Sequence, residues 1–139
     1  MSKSNTTENE VIKIMFLSNF DPSWRTNANL YLSLHTQDPG EAGNQTTNET
    51  AYTNYARVAV LKTAAGWTVS GNQAGNAGLI QFPQCGATGG DPITHVAIGT
   101  ADSPAAGQIL YSGVLNAPLA ISNLIQPQFA IGALIVTED

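Results

Sequence analysis

The sequence is poor in cysteine, in positive charge and in long apolar runs. Cys85 is its single cysteine, which excludes an internal disulfide and a zinc site built from cysteines. Five Lys and Arg stand against ten Asp and Glu, for a formal net charge of −5. Nucleic acids and anionic membranes bind clustered basic residues, so we expect neither as a partner. No apolar run reaches the roughly 18 residues that a transmembrane helix needs.

Low charge does not indicate disorder here. Charged residues are 11% of the chain but hydrophobic residues are 42%, and 139 residues suffice for one domain with a real core. The opening MSKSNTTENE has no apolar stretch of the kind that a secretory signal contains. We therefore expect synthesis and assembly in a reducing cytoplasm.

The N-terminal region, residues 1–28, is expected to contain a polar arm, a helix and a loop. The first seven residues look unstructured by composition. Thr7 to Glu10 fits a capping box, and Val11, Ile14 and Met15 follow at helical spacing, so we predict a helix over about 8–18. This helix is apolar on most of its circumference and must be covered, either by its own domain or by a neighbouring chain.

Residues 29–139 are predicted to form the main domain. Leu30, Leu32 and Leu34 alternate with Tyr31, Ser33 and His35, which predicts a strand with one buried face. A long polar loop over 37–50 follows, and its length favours a functional or partner-ordered role. Further strands are predicted over 55–62, 66–70, 76–82, 93–99, 108–113, 114–122 and 128–137. About eight short strands separated by turn residues predict an all-β fold, an antiparallel β-sandwich of jelly-roll type.

Motifs for catalysis are missing. His35 and His95 lie in predicted strands without the spacing of a metal pair, and Ser112-Gly113 lacks a nucleophile elbow. No glycine-rich phosphate loop occurs between a strand and a helix. We therefore expect no enzyme activity, no cofactor, no metal and no small-molecule substrate.

Acidic and aromatic residues leave two binding alternatives open. Asp38, Glu41 and Glu49 share the long loop and could hold calcium, although their spacing is not that of an EF-hand loop and such residues are commonly just solvated. A sugar platform could be built from the aromatic residues Trp24, Trp67, Tyr31, Tyr52, Tyr55 and Tyr111. Aromatic residues of this kind also commonly lie in a hydrophobic core or at a protein interface.

A partner interface is the third possibility. Tyr52 and Tyr55 lie just before a predicted strand, and tyrosine is enriched at interfaces. Together with the apolar helix they give our candidate interface residues: Val11, Ile14, Met15, Tyr52 and Tyr55.

Several stretches, in order along nearly the whole chain, resemble a family of small virion structural proteins of tailed bacteriophages, labelled head-decoration (cement) or tail-fibre proteins. They are Ser4-Asn5 with Glu8-Asn9, residues 30–36, Asp38-Pro39 with Glu41, and residues 54–60, 82–83, 94–99, 110–113 and 129–139. The resemblance implies a structural role and transfers no catalytic residue. Arg57 falls in one of these stretches and is expected either to pair with a carboxylate or to lie solvated at an edge.

The resemblance supports two functions. The first is a capsid decoration protein on the outer capsid surface, which binds the major capsid protein and copies of itself as dimers or trimers. The alternative is a tail-fibre or tail-tip component that presents loops such as 37–50 or 86–92 to a host surface. A soluble glycosidase is a third class, which the missing motifs disfavour.

Overall fold

The computed structural model describes residues 1–138, and over these residues the chain is an antiparallel, sandwich-like all-β protein, as predicted. One helix and a 3-10 turn accompany ten strands within the described residues. The strands are β1 (Ser2–Lys3), β2 (Asn29–His35), β3 (Val58–Leu61), β4 (Trp67–Ser70), β5 (Gln73–Asn76), β6 (Ile80–Gln81), β7 (Ile93–Gly99), β8 (Ile109–Leu119), β9 (Gln128–Phe129) and β10 (Ile135–Thr137). The helix α1 spans Asn5–Phe16, and the 3-10 turn spans Ser23–Thr26.

A five-stranded sheet with the order β1-β8-β7-β2-β3 forms the centre of the fold. A three-stranded sheet, β10-β5-β4, and the pair β6-β9 complete the strands, and every neighbouring pair is antiparallel. The predictions of β2 and β7 agree with the observed bounds. No helix among the described residues has both the length and the apolar character to cross a membrane.

The N-terminus is more ordered than predicted. Ser2 and Lys3 pair with Ser112 and Tyr111 of β8, and α1 begins at Asn5 with Ser4 as its cap. The Ser4 hydroxyl accepts from the Thr7 N–H and donates to the Ile109 carbonyl at 2.6 Å. The capping-box prediction at Thr7 was therefore three residues late, because a distant backbone acceptor holds Ser4 as the cap.

Glycines account for some of the differences between the predicted and the observed ends of strands. The predicted strands 108–113 and 114–122 are one strand, β8, because Gly113 pairs with Val96 instead of starting a turn. Conversely, the predicted strand 128–137 is divided into β9 and β10 by a turn in which Gly132 has a φ of 71°. The turn at Gly71-Asn72 joins β4 to β5, and β5 was missed because its sequence QAGN lacks β-branched residues.

The core lies on the apolar face of the five-stranded sheet. Leu32, Leu34, Ile98 and Phe82 are each at most 2% exposed and belong to one cluster that includes Leu134 of the smaller sheet region. The other face is buried as well, since Ser33 and His35 are both 0% exposed. The prediction of a single buried face was therefore wrong, and the long loop covers the second face.

Candidate functional site

An open cleft of about 700 Å³ lies between the five-stranded and three-stranded sheets. Leu30 and Ile98 line it from the large sheet, and Trp67, Val69 and Val136 line it from the small one. These walls are apolar, because they continue the core toward the surface. Its volume is in the usual range for ligand and side-chain pockets.

The rim of the cleft carries a fixed carboxylate. Glu138 accepts a hydrogen bond from the Tyr111 hydroxyl at 2.5 Å and forms an ion pair with Lys3. The hydrogen bond from Lys3, followed by that from Tyr111, lowers the pKa of Glu138, so the group is ionised at neutral pH. Burial, together with the hydrogen bond to Glu138, raises the pKa of Tyr111 and keeps its hydroxyl neutral.

Of the six aromatic residues considered for a sugar platform, Trp67 and Tyr111 both line this cleft. The Trp67 indole N–H is buried and has no hydrogen-bond partner among residues 1–138. Trp24 instead donates its indole N–H to Glu10 at 2.6 Å, next to the helix. The structure thus brings two of the aromatic residues together, without a row of exposed rings.

The interface candidates on the helix are only partly exposed. Val11 is half-buried, Ile14 is 38% exposed and Met15 is 67% exposed. Sequence reasoning did not single out Ile12 and Phe16, which are 56% and 74% exposed and lie four residues apart on the helix. That spacing was visible in the sequence, but the choice of outward face depended on where the N-terminal half of the helix binds.

The N-terminal half of α1 binds the main sheet through polar contacts. The Thr7 hydroxyl donates to the Ile109 carbonyl at 2.8 Å, and the Gln108 amide donates to Glu10 at 2.7 Å. These contacts direct Met15 and Phe16 at the other end of the helix away from the domain.

Of the two tyrosines chosen as surface anchors, Tyr52 is buried in the core, which corrects its choice, and Tyr55 is half-buried against that core. Tyr52 is 2% exposed and its hydroxyl donates to the Pro83 carbonyl at 2.7 Å. Burial raises the pKa of Tyr52 to about 12. The Tyr55 ring packs on Tyr52 and Phe82, because the segment before β3 turns into the core.

The long loop is pinned to the protein by a buried ion pair. Arg57 donates two hydrogen bonds to the Glu49 carboxylate, both at 2.7 Å, and its side chain is 0% exposed. A third nitrogen of Arg57 donates to the carbonyls of Ala101, Asp102 and Ala105. Burial opposes the charge of Arg57, but the hydrogen bonds and charge of Glu49 outweigh burial and raise its pKa. Of the two alternatives expected for Arg57, the structure shows pairing with a carboxylate and not a solvated position at an edge.

The three acidic loop residues do not converge on one point. Glu49 is engaged by Arg57 and also accepts a hydrogen bond from the Tyr55 hydroxyl. Asp38 accepts from the Gly40 N–H at 2.8 Å, in a local turn. Within the described part of the chain, no three His, Cys, Asp or Glu side chains form a group able to hold a metal ion.

Comparison with known proteins gives one informative match. No curated protein matches the chain. A family model described as "Podophage GP4 fiber I protein gp80" matches residues 2–137. The match begins in β1 and ends at the last residue of β10, so it covers the whole fold. The chain therefore belongs to this podophage fibre family, a family of virion structural proteins of tailed phages.

Proposed function

We propose that this protein is a non-enzymatic structural component of a podophage fibre. The observation that carries the proposal is the family match over residues 2–137, whose description names a fibre protein. This favours the fibre alternative over the capsid decoration function, the first of the two functions that the resemblance supports. It also supports a location on the virion.

The fold suits a load-bearing part. The second half of β2 is buried on both faces, and the loop over 37–50 is held by the Arg57–Glu49 pair and by buried Gln45. Such a loop keeps one conformation, so it can serve as a fixed surface in an assembly. Its partners in this proposal are neighbouring fibre proteins and copies of itself.

Copy number and position on the particle test the proposal. Quantitative mass spectrometry of purified particles gives the ratio of this protein to the major capsid protein, and immunogold labelling gives its position. A small number of copies with label at the fibres would support the proposal. Hundreds of copies in fixed ratio to the capsid protein, with label over the head, would overturn it and restore the decoration function.

An assay for glycan cleavage is a separate test of the non-enzymatic part of the proposal. Purified host envelope glycans are incubated with the protein, and the products are followed by mass spectrometry. Intact glycans are expected, whether or not they bind. Shortened glycans that depend on the protein would overturn the non-enzymatic part of the proposal.

A further inference from the structure

We propose that the free edge of β3 is a docking site for an extended, uncharged segment of a different protein chain, which adds to the five-stranded sheet as a further strand. β3 is the last strand in the order β1-β8-β7-β2-β3, and its partner within the described chain is β2. We define the β3 groove as the furrow of about 210 Å³ along this edge, with β3 on one side and residues 78–80 on the other. The inference goes beyond the fibre assignment, because it names a binding surface and the kind of segment that the surface fits.

The register of β2 and β3 shows which main-chain groups of β3 face the groove. Lys62, directly after β3, donates its N–H to the Ala28 carbonyl at 2.9 Å and continues the register of the two strands. In an antiparallel pair, residues that bond to the partner strand alternate with residues whose N–H and C=O point away from it. Counting back from Lys62, the main-chain groups of Ala59 and Leu61 point away from β2. Among residues 1–138, neither residue makes a backbone hydrogen bond on that open side.

These unpaired groups determine what kind of segment the groove can bind. A row of free N–H and C=O groups at a sheet edge is matched by the backbone of another extended strand. A helix cannot match the row, because its own backbone groups are bonded within the helix. The groove is lined only by valine, alanine, leucine, isoleucine and glycine residues. The side chains of the bound segment are therefore uncharged, since an unpaired charge buried against this lining would be costly.

The edge of β3 lacks the protection that edge strands commonly carry. Charged side chains, proline and bulges keep other strands away from an edge, and β3 itself, with the sequence VAVL, contains no charge and no proline. Charged residues flank it on both sides, but both are held elsewhere. The buried Arg57 side chain is paired with Glu49, and the Lys62 ammonium donates to the carbonyls of Trp24 and Arg25. An apolar edge left in this state is an aggregation site unless a partner covers it.

The far wall of the groove favours a single strand over a second folded copy. Leu61 and Leu79 lie on opposite walls and are 53% and 52% exposed, so a strand between them would cover both. Neighbouring strands in a sheet lie about 4.8 Å apart, so a second sheet docking by its edge would place its next strand where residues 78–80 stand. The net charge of −5 also disfavours a second copy. A lone extended segment of a different chain meets neither obstacle.

Peptide binding to the full-length protein tests the proposal. The probe is a dye-labelled peptide of alternating valine and threonine with both ends capped, and its control is the same peptide with every backbone nitrogen methylated. The control keeps the side chains but has no N–H to donate. Fluorescence anisotropy should show saturable binding of the probe and binding of the control that is weaker by about tenfold or more. Absence of probe binding at its highest soluble concentration, or equal binding of both peptides, would overturn the proposal.

Variants at the edge test whether β3 is the site. Leu61→Lys places a charge at a 53% exposed position of the groove, so it should fold and weaken probe binding by about tenfold or more. Ile131→Lys is the matched control, because Ile131 is 69% exposed and lies outside the groove, and it should bind normally. Ala59→Pro removes an N–H that does not face β2, so it should also weaken binding. Circular dichroism checks folding, and a folded L61K protein with unchanged binding would overturn the proposal whatever A59P does.

Amide hydrogen exchange, measured by NMR, locates the bound peptide. The amides of Ala59 and Leu61 should exchange about tenfold more slowly or less when the probe is bound, and the amide of Val69 in β4, the edge strand of the smaller sheet, should not change. Protection at Val69 without protection at Ala59 would place the peptide on the smaller sheet and overturn the proposal. Dimers of the free protein in analytical ultracentrifugation, with Ala59 already protected, would assign the edge to a second copy and also overturn it. The fibre assignment is tested separately, by position on the particle.

Discussion

The two faces of the five-stranded sheet are buried by opposite means. On one face, Leu32 and Leu34 pack in an apolar core that opens into the cleft. On the other, Ser33 and His35 lie beneath the polar loop and are no more exposed than the leucines. An apolar core can stay open to solvent at one end, whereas each buried polar group requires a hydrogen-bond partner.

The polar face meets that requirement through a few side chains. Gln45 is 0% exposed, donates to the Tyr31 carbonyl at 3.1 Å and accepts from the Ala101 N–H at 3.0 Å. Gly99 and Gly107 make room for it, since a Cβ at either position would overlap the Gln45 side chain. His35 Nδ1 lies 2.8 Å from the Thr47 carbonyl and Nε2 lies 2.9 Å from the Ser33 hydroxyl. The stability of the polar face therefore depends on a few individual side chains, while the stability of the apolar face depends on many contacts shared among side chains.

The largest expected effect is on the apolar face. Leu32→Asp places an unpaired charge at a position that is 0% exposed, which should cost more than about 5 kcal/mol and prevent folding. Circular dichroism and solubility measure this. Ile131→Asp, at a position 69% exposed, is the control and should fold. A folded, soluble L32D protein would show that this face is not the core.

The second-largest loss of stability is expected from breaking the buried ion pair. Arg57→Met leaves the Glu49 carboxylate without its partner, at a cost of about 3–5 kcal/mol in the free energy of unfolding. Urea denaturation measures the loss. Arg25→Met is the matched control, because the Arg25–Asp21 pair is exposed and should contribute less than about 1 kcal/mol. An equal loss of unfolding free energy in both variants would show that the Arg57–Glu49 pair does not hold the loop.

A smaller loss is expected from Gln45→Ala. The change removes two hydrogen bonds, to the Tyr31 carbonyl and from the Ala101 N–H, and leaves a cavity at a position that is 0% exposed, which should cost about 2–3 kcal/mol. Gln37→Ala changes an exposed residue of the same loop and should be close to neutral. The difference between their urea midpoints is the measurement. If the two variants are equally stable, the loop is not held by Gln45.

The smallest effect concerns pH. Burial lowers the pKa of His35 below the ordinary histidine value of 6.5 and outweighs the hydrogen bond to Thr47. The unfolded chain then binds more protons than the folded one below pH 6.5, so stability should fall as the pH decreases through that range. Glu138 also has a lowered pKa, but its contribution to stability is lost only below the ordinary glutamate value of 4.5.

Thermal melting at pH 7.5 and pH 5.5 tests the histidine effect. His35→Asn should flatten the difference, because asparagine does not titrate. An equally steep dependence in H35N would assign the effect to other groups.

The sequence predicted the apolar face better than the polar one. Alternating leucines identified β2 and its core face, and valines and isoleucines identified β7. Ser33 and His35 gave no sign of burial, because polar residues are buried only when a distant segment supplies partners. The same limit applied to Ser4, whose acceptor at Ile109 lies far along the chain.

The candidate site was partly predictable for the same reason. Helical spacing identified Val11, Ile14 and Met15 as an apolar surface, but the outward face at Ile12 and Phe16 depended on how the helix binds β8. Tyr52 and Tyr55 were chosen as interface anchors because they precede a strand and tyrosine is enriched at interfaces, but Tyr52 belongs to the core cluster and the partly buried Tyr55 packs against it. The cleft between two sheets has no local sequence pattern at all.

The placement of the first and last strands has a consequence for biosynthesis. Ser2 pairs with Ser112, and β10, near the end of the described chain, pairs with β5 in the small sheet. Neither sheet can reach its final strand order until β8 and β10 have left the ribosome. The nascent protein must therefore carry unpaired strand edges until both of these strands have been synthesised, which makes strand pairing late and folding slow.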